Sequence, residues 1–332
     1  MARLTELSKA DVADLCGAFD LGGPTAFSAL DAGTVNSNFR VDTTRGRFFL
    51  RINEGKQARE VETEACLIDA LVPLGVPTPR PLRARDGGWF VPLGEPPKYC
   101  SAFPWIAGRH LVRAELAVAD VHAAGEALGR LHLAGAALPP AVRERLGPGS
   151  YTVSHLEVRL ATIRASNRAD LVPAEDRLRT ALADVAGTRD PGLPVGPIHQ
   201  DLFLDNVLFD PDRRLVALLD FEQAVVGPYA YDVAVTLLAW AFGSDDFEPA
   251  LSAGLIAGYE SVRALAPRER AGLFAEARLA AVRFSITRLT DVTLRATIGG
   301  ASSGKSYRRY LDRLDRLEAH GESGFQALIR GR

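Results

Sequence analysis

Residues 199–206 read His-Gln-Asp-Leu-Phe-Leu-Asp-Asn, and the apolar run Leu215–Leu219 that follows ends at Asp220, in Leu218-Leu219-Asp220-Phe221-Glu222. This pairing constrains the chain more than any other stretch. An Asp and an Asn five positions apart, on a short loop ahead of a strand, can face one reaction centre. Asp201 is suited to accept a hydroxyl proton. The amide oxygen of Asn206 and the carboxylate of Asp220 are hard ligands of the kind magnesium prefers. The run before Asp220 reads as a buried strand, and a carboxylate at its end is costly unless it meets a cation. Asp201 is therefore the candidate base, and Asn206 and Asp220 are the candidate metal ligands. The alternatives are a turn or capping Asp, a loop-bracing amide and a turn residue.

The patterns around this segment divide the chain. An amphipathic helix is expected over residues 5–20, from the spacing of Leu7, Val12, Leu15 and Phe19. Strands are expected at Phe27–Leu30, Asn38–Thr43, Arg47–Ile52, Arg83–Leu93 and Lys98–Phe103, with a helix over Glu60–Leu74 stopped by Gly75. Beyond Ile106-Ala107-Gly108 the pattern turns helical. Helices are expected over Glu115–Ala136, His155–Val185, Ala230–Ala241, Ala250–Leu265, Pro267–Ala296 and Ser306–His320, with short strands at Val207–Phe209 and Val216–Leu219. The glycine- and serine-rich run 299–304 reads as a surface loop. The expectation is an α+β fold with two lobes. Residues 1–103 would form a small antiparallel sheet with one inserted helix, and residues 104–332 a large, mainly helical lobe.

Composition narrows the function. The 332 residues are 47% hydrophobic and 24% charged with a net charge of −2, so no electrostatic footprint for nucleic acid or an anionic membrane is expected. Cys16, Cys66 and Cys100 are far apart and show no CxxC spacing, which suits a reduced compartment. The polar N-terminus has no apolar core of a signal peptide, and the apolar run Val233–Phe242 is too short to span a bilayer. A cytoplasmic protein is expected.

Other polar residues are weighed against plainer roles. His199 precedes the loop and is expected to hold it through backbone carbonyls. His132 is expected to be a packed helix residue. Asp232 opens a buried helix and is expected to cap it and brace the loop from below. Gly33, Thr34, Asn36 and Ser37 lie between two strands. They can offer backbone N–H groups and side chains to phosphates, or can simply form a hairpin turn.

These residues resemble the aminoglycoside phosphotransferase and choline kinase superfamily, which has a protein-kinase-like fold. The resemblance runs through Gly33–Phe39, the Arg51 strand, the Glu64 helix, Ala127–His132, the 199–209 loop and Tyr231–Ala234. Within it the chain looks most similar to the bacterial homoserine kinase branch, whose loop is typically His-x-Asp-Leu-Phe-x-Asp-Asn-Val-Leu-Phe. Leu204 and Glu222 depart from the Arg and the aromatic often found there. The resemblance implies ATP between the lobes with Mg2+, and its adenine near Ala102–Trp105, Phe103 included. It implies Arg51 on the α- and β-phosphates, oriented by Glu64, with Glu60 and Glu62 as rival partners. The acceptor would be a small-molecule primary alcohol, L-homoserine first, with choline, ethanolamine, hydroxylysine or an aminoglycoside as alternatives and a nucleotide-binding pseudokinase as a further one. For homoserine, Arg283 or Arg288 would meet the carboxylate and Asp205 or Glu222 the ammonium.

Overall fold

The computed structural model describes residues 5–30, 35–149, 151–295 and 306–331. Helix α1 (Lys9–Ala18) starts at a reciprocal cap, in which Ser8 and Asp11 bond each other's backbone N–H. Then come β1 (Pro24–Leu30), β2 (Ser37–Thr43), β3 (Gly46–Asn53), α2 (Ala58–Leu71), β4 (Val91–Leu93) and β5 (Lys98–Pro104). The five strands form one antiparallel sheet in the order β1-β2-β3-β5-β4. The expected strand Arg83–Leu93 shrinks to three residues. Asp86-Gly87-Gly88 makes a turn, closed by the Gly87 N–H on Ala84, that removes the rest from the sheet.

Strand alternation gives the sheet two different faces. Leu50, Ile52, Cys100 and Ala102 pack with Val12, Leu15 and Cys16 of α1 in one core cluster. Phe49, Arg51 and Asn53 point the other way, opposite Phe103, Ser101 and Tyr99. That second face looks towards α2 and the rest of the molecule.

The remainder holds α3 (Val118–Ala137), α4 (Pro140–Leu146), α5 (Val153–Ala165), α6 (Val172–Thr188), β6 (Val195–Ile198), β7 (Val207–Phe209), β8 (Leu215–Leu218) and β9 (Val225–Pro228). It closes with α7 (Tyr229–Trp240), α8 (Pro249–Val262), α9 (Pro267–Arg288) and α10 (Arg308–Leu328). The strands make two small ribbons, β6 with β9 and β7 with β8. Every residue of α7 is buried, so it is the axis of this half. Helices α3 and α8 approach through glycine. A Cβ on Gly125 would meet the Leu255 carbonyl oxygen at 2.2 Å, and one on Gly258 the His122 carbonyl oxygen at 2.0 Å. That closeness brings His132 of α3 against Tyr259 of α8.

Helix α10 runs past its expected end, bending at Gly321, where φ is +62°. After α9 the chain makes a π turn over Leu289–Thr293 in place of further α-helix. The glycine-serine run 299–304 lies outside the described residues. No helix among the described residues is long and apolar enough to cross a membrane.

Candidate active site

The segment 199–206 links β6 to β7, and side chains from distant helices hold its backbone. The Asp232 carboxylate accepts the His199 N–H and the Gln200 N–H, both at 2.7 Å. Arg283 donates to the Gln200 carbonyl at 3.0 Å, and the Trp240 indole donates to Leu202 at 2.9 Å. The Asn206 amide nitrogen donates to the Asp201 carbonyl at 2.7 Å, which leaves its oxygen for another partner. The His199 ring donates from Nε2 to the Leu219 carbonyl at 2.9 Å and accepts the Asp201 N–H at Nδ1, an arrangement of one tautomer. Gln200, at φ +65°, sits in the left-handed region that a non-glycine residue enters at a cost. Asp232 and Arg283 grip it from either side and over-determine it.

Asp232 lies inside the first turn of α7 and does not cap it; its oxygens go to the loop and to His132 Nε2 at 3.1 Å. His132 is fully buried and accepts from the Tyr259 hydroxyl at 2.7 Å, and Arg263 donates to that hydroxyl at 2.8 Å.

Asp220 follows β8, also left-handed at φ +63°. One carboxylate oxygen is sealed from water without a hydrogen-bond partner among the described residues, yet the side chain as a whole is 38% exposed. Burial first, then the Glu222 charge, push its pKa up to about 7 against the pull of Arg51, whose Nη1 is 3.6 Å away. The Leu219 N–H bonds the Asn206 carbonyl at 2.9 Å and so holds the two segments together, and a carboxylate with an amide oxygen is a donor set that fits a divalent cation.

Arg51 of β3 pairs with Glu64 of α2 at 2.5 Å, both side chains under a tenth exposed. Burial alone would weaken the Arg51 charge, but Glu64 and Asp220 outweigh it and its pKa rises. The rival acids are engaged elsewhere. Glu60 accepts the Gln57 N–H at the start of α2, and Glu62 faces Arg145. Phe103 packs beside this pair, with the Arg51 guanidinium 5.6 Å from its ring centre.

Gly33 and Thr34 lie outside the described residues. The Ser37 hydroxyl is turned to Glu54 at 2.7 Å and accepts the Thr5 N–H, so it does not open towards a phosphate. Asn36 accepts the Glu54 N–H and donates to Glu222 at 3.0 Å, a contact 186 residues apart that joins the sheet to the segment after β8. Glu222 therefore stands with Asn36, Lys56 and Asp220. Arg283 is 3% exposed, tied to Gln200 and stacked on Tyr151 and Phe284, and so is a brace of the loop. Asp205 is exposed, and Arg288 feels its charge along with that of Asp201. Gln200, Tyr151 and Tyr310 carry no signal of their own in the sequence, because helical periodicity and loop position mark them only as packing residues.

The raised Asp220 pKa has a consequence for stability. A carboxyl whose folded pKa lies above its unfolded value, near 4, destabilises the fold progressively as pH rises from about 4 to about 7. Its open oxygen is screened by water, so the penalty is about 1 kcal/mol. Asp220→Asn is expected to raise Tm by about 2 °C at pH 8 in EDTA and to leave it unchanged at pH 4. Thermal denaturation at the two pH values checks this; equal shifts at both would remove charge burial as the cause.

Residues 26–273 match the Phosphotransferase enzyme family. A homoserine kinase of Caulobacter sp. (strain K31) is 36% identical over 298 residues, covering 88% of this chain and 89% of its own. A homoserine kinase of Granulibacter bethesdensis is 32% identical over 326 residues, covering 95% of this chain and 96% of its own. Among solved structures, a Plasmodium vivax ethanolamine kinase superposes with a TM-score of 0.70 at 14% identity, covering 95% of this chain and 91% of its own, a likeness of fold. Matched from within β1 to within α9, and with relatives this similar over most of its length, the chain belongs to the phosphotransferase enzyme family.

Proposed function

We propose that the protein is an ATP- and Mg2+-dependent kinase that transfers the γ-phosphoryl group to the primary hydroxyl of L-homoserine. The observation that supports phosphoryl transfer is the bonding of the Asn206 amide to the Asp201 carbonyl and of the Leu219 N–H, next to Asp220, to the Asn206 carbonyl. The homoserine kinases at 32–36% identity support the acceptor.

In this reading the protein divides at residues 103/104, one residue before the end of β5, and the nucleotide lies between the two parts with its base near Phe103. Asn206 and Asp220 would hold Mg2+, which when bound neutralises phosphate charge. Arg51, fixed by Glu64, meets the α- and β-phosphates. Asp201 orients the acceptor hydroxyl for in-line attack and takes its proton as the bond to phosphorus forms. Three free cysteines accord with a cytoplasmic setting. A pseudokinase would be expected to lack at least one of Asp201, Asn206 and Asp220, and all three stand in place.

The test is Mg2+-dependent ADP release with L-homoserine, choline, ethanolamine, hydroxylysine and kanamycin. Turnover on homoserine at least a hundredfold above choline, ethanolamine and kanamycin, in kcat/KM, is expected, since a site built for a polar group rejects acceptors lacking it by about that factor or more. Preference for another acceptor would retain the chemistry and refute the substrate.

A further inference from the structure

Arg288 closes α9 next to the catalytic loop, and among the described residues its guanidinium has no carboxylate partner within ion-pair distance. It donates to the Ser306 carbonyl at 3.2 Å and lies 4.5 Å from the ring centre of Tyr310. Tyr310, from α10, is 2% exposed, yet its hydroxyl has no hydrogen-bond partner among the described residues. Its ring packs against Phe284 at 4.8 Å and against Phe203, two residues after Asp201, at 6.4 Å. The Asp201 charge acts on both Arg288 and Tyr310.

The neighbouring cations are committed. Arg283 is tied to Gln200, and Arg313, on the same Tyr310 ring at 4.7 Å, donates to the Leu238 and Arg309 carbonyls. A half-sheltered guanidinium beside a buried hydroxyl that lacks an acceptor is a seat for an anion. The planar fork of Arg matches a carboxylate in particular. A quaternary amine or a polycationic sugar would meet repulsion there.

We propose that Arg288 and Tyr310 seat the acceptor's carboxylate and so select an amino acid alcohol over amino alcohols without that group. This rests on the homoserine reading above and assigns the residues that enforce it. Tyr310 is a new member of the site, and Glu222 and Arg283 are not part of this seat.

The experiment compares L-homoserine with L-homoserinamide, which keeps the hydroxyl and the amine but lacks the carboxylate. Wild type, Arg288→Gln and Tyr310→Phe are assayed for initial rates, and Mg·ATP binding by calorimetry checks that each is folded. Wild type is expected to favour homoserine about 100-fold in kcat/KM, the worth of a charged hydrogen-bonded pair. Arg288→Gln should bring the ratio close to parity, and Tyr310→Phe should lower it about fivefold, as for one neutral hydrogen bond. Both losses should fall on the KM for homoserine more than on kcat. If wild type phosphorylates homoserine and all three proteins discriminate equally, the carboxylate seat is wrong and the proposed function stands. If wild type ignores homoserine and phosphorylates choline or ethanolamine, both fall together.

Discussion

Asp201→Asn is expected to lower kcat by about a thousandfold while Mg·ATP affinity stays within about threefold of wild type. The size follows from the worth of a positioned base, about 10²–10⁴ in rate, and an amide cannot take the acceptor's proton. The selectivity follows from how the loop is built. The Asp201 N–H goes to His199 and its carbonyl to Asn206, so its backbone is fixed without help from the carboxylate. Arg51 is likewise fixed by Glu64, and Asp220 lies beyond β8 on a separate segment. The residues proposed to hold the nucleotide and its metal are therefore positioned by bonds that do not use the Asp201 carboxylate. Rapid-quench measurement of a single turnover, with calorimetry of Mg·ATP, separates the two quantities. A variant that keeps more than a tenth of wild-type turnover would exclude Asp201 as the base. One that loses nucleotide binding as well would show that the carboxylate helps to hold the loop.

Much of the candidate site is legible because its polar residues are compact in sequence. Asp201, Asn206 and Asp220 lie within twenty residues, and the apolar run before Asp220 makes its carboxylate conspicuous. Arg51 and Glu64 were readable from their strand and helix, and their 2.5 Å pair bears out the choice of partner. What local pattern cannot carry is contact across long separations. Nothing near Asn36 announces Glu222, and nothing near Tyr310 announces Phe203 or Asp201. The same limit explains the missed strands. Val195–Ile198 contains Gly196 and Pro197, and Val225–Pro228 contains Gly227 and Pro228, so neither shows a strand pattern until the two are paired with each other. Asp232 shows the reverse. Its bracing of the loop was expected, but its place within α7 turned it away from a capping role and onto two loop amides.

That geometry makes Asp232→Asn the sharpest structural probe of the loop. The carboxylate serves three donors. One oxygen accepts the Gln200 N–H, and the other accepts the His199 N–H and His132 Nε2. An amide has only one oxygen. With the oxygen towards Gln200, its NH2 confronts the His199 N–H; flipped, it confronts the Gln200 N–H. Either way one buried loop amide loses its acceptor, and His132 can adapt by changing tautomer but the backbone cannot. The expected cost is about 2–3 kcal/mol of stability, the penalty for an orphaned buried donor next to a lost charge-assisted bond. Burial alone would raise the Asp232 pKa, but His132 and the loop outweigh it and hold the carboxyl below the usual range. Its contribution is therefore present above pH about 4, the unfolded value, and is lost as pH falls through the lower folded one. Wild type and variant should thus differ fully at pH 7 and converge only in strong acid. Release of the strained Gln200 should also misplace Asp201, so kcat is expected to fall about 10- to 100-fold, since a shift of about 1 Å at the reacting groups costs that much. Urea denaturation and kcat, measured on the same preparation, decide it. A destabilised variant with unchanged kcat would mean that Asp232 supports the core around α7 without setting the position of the base.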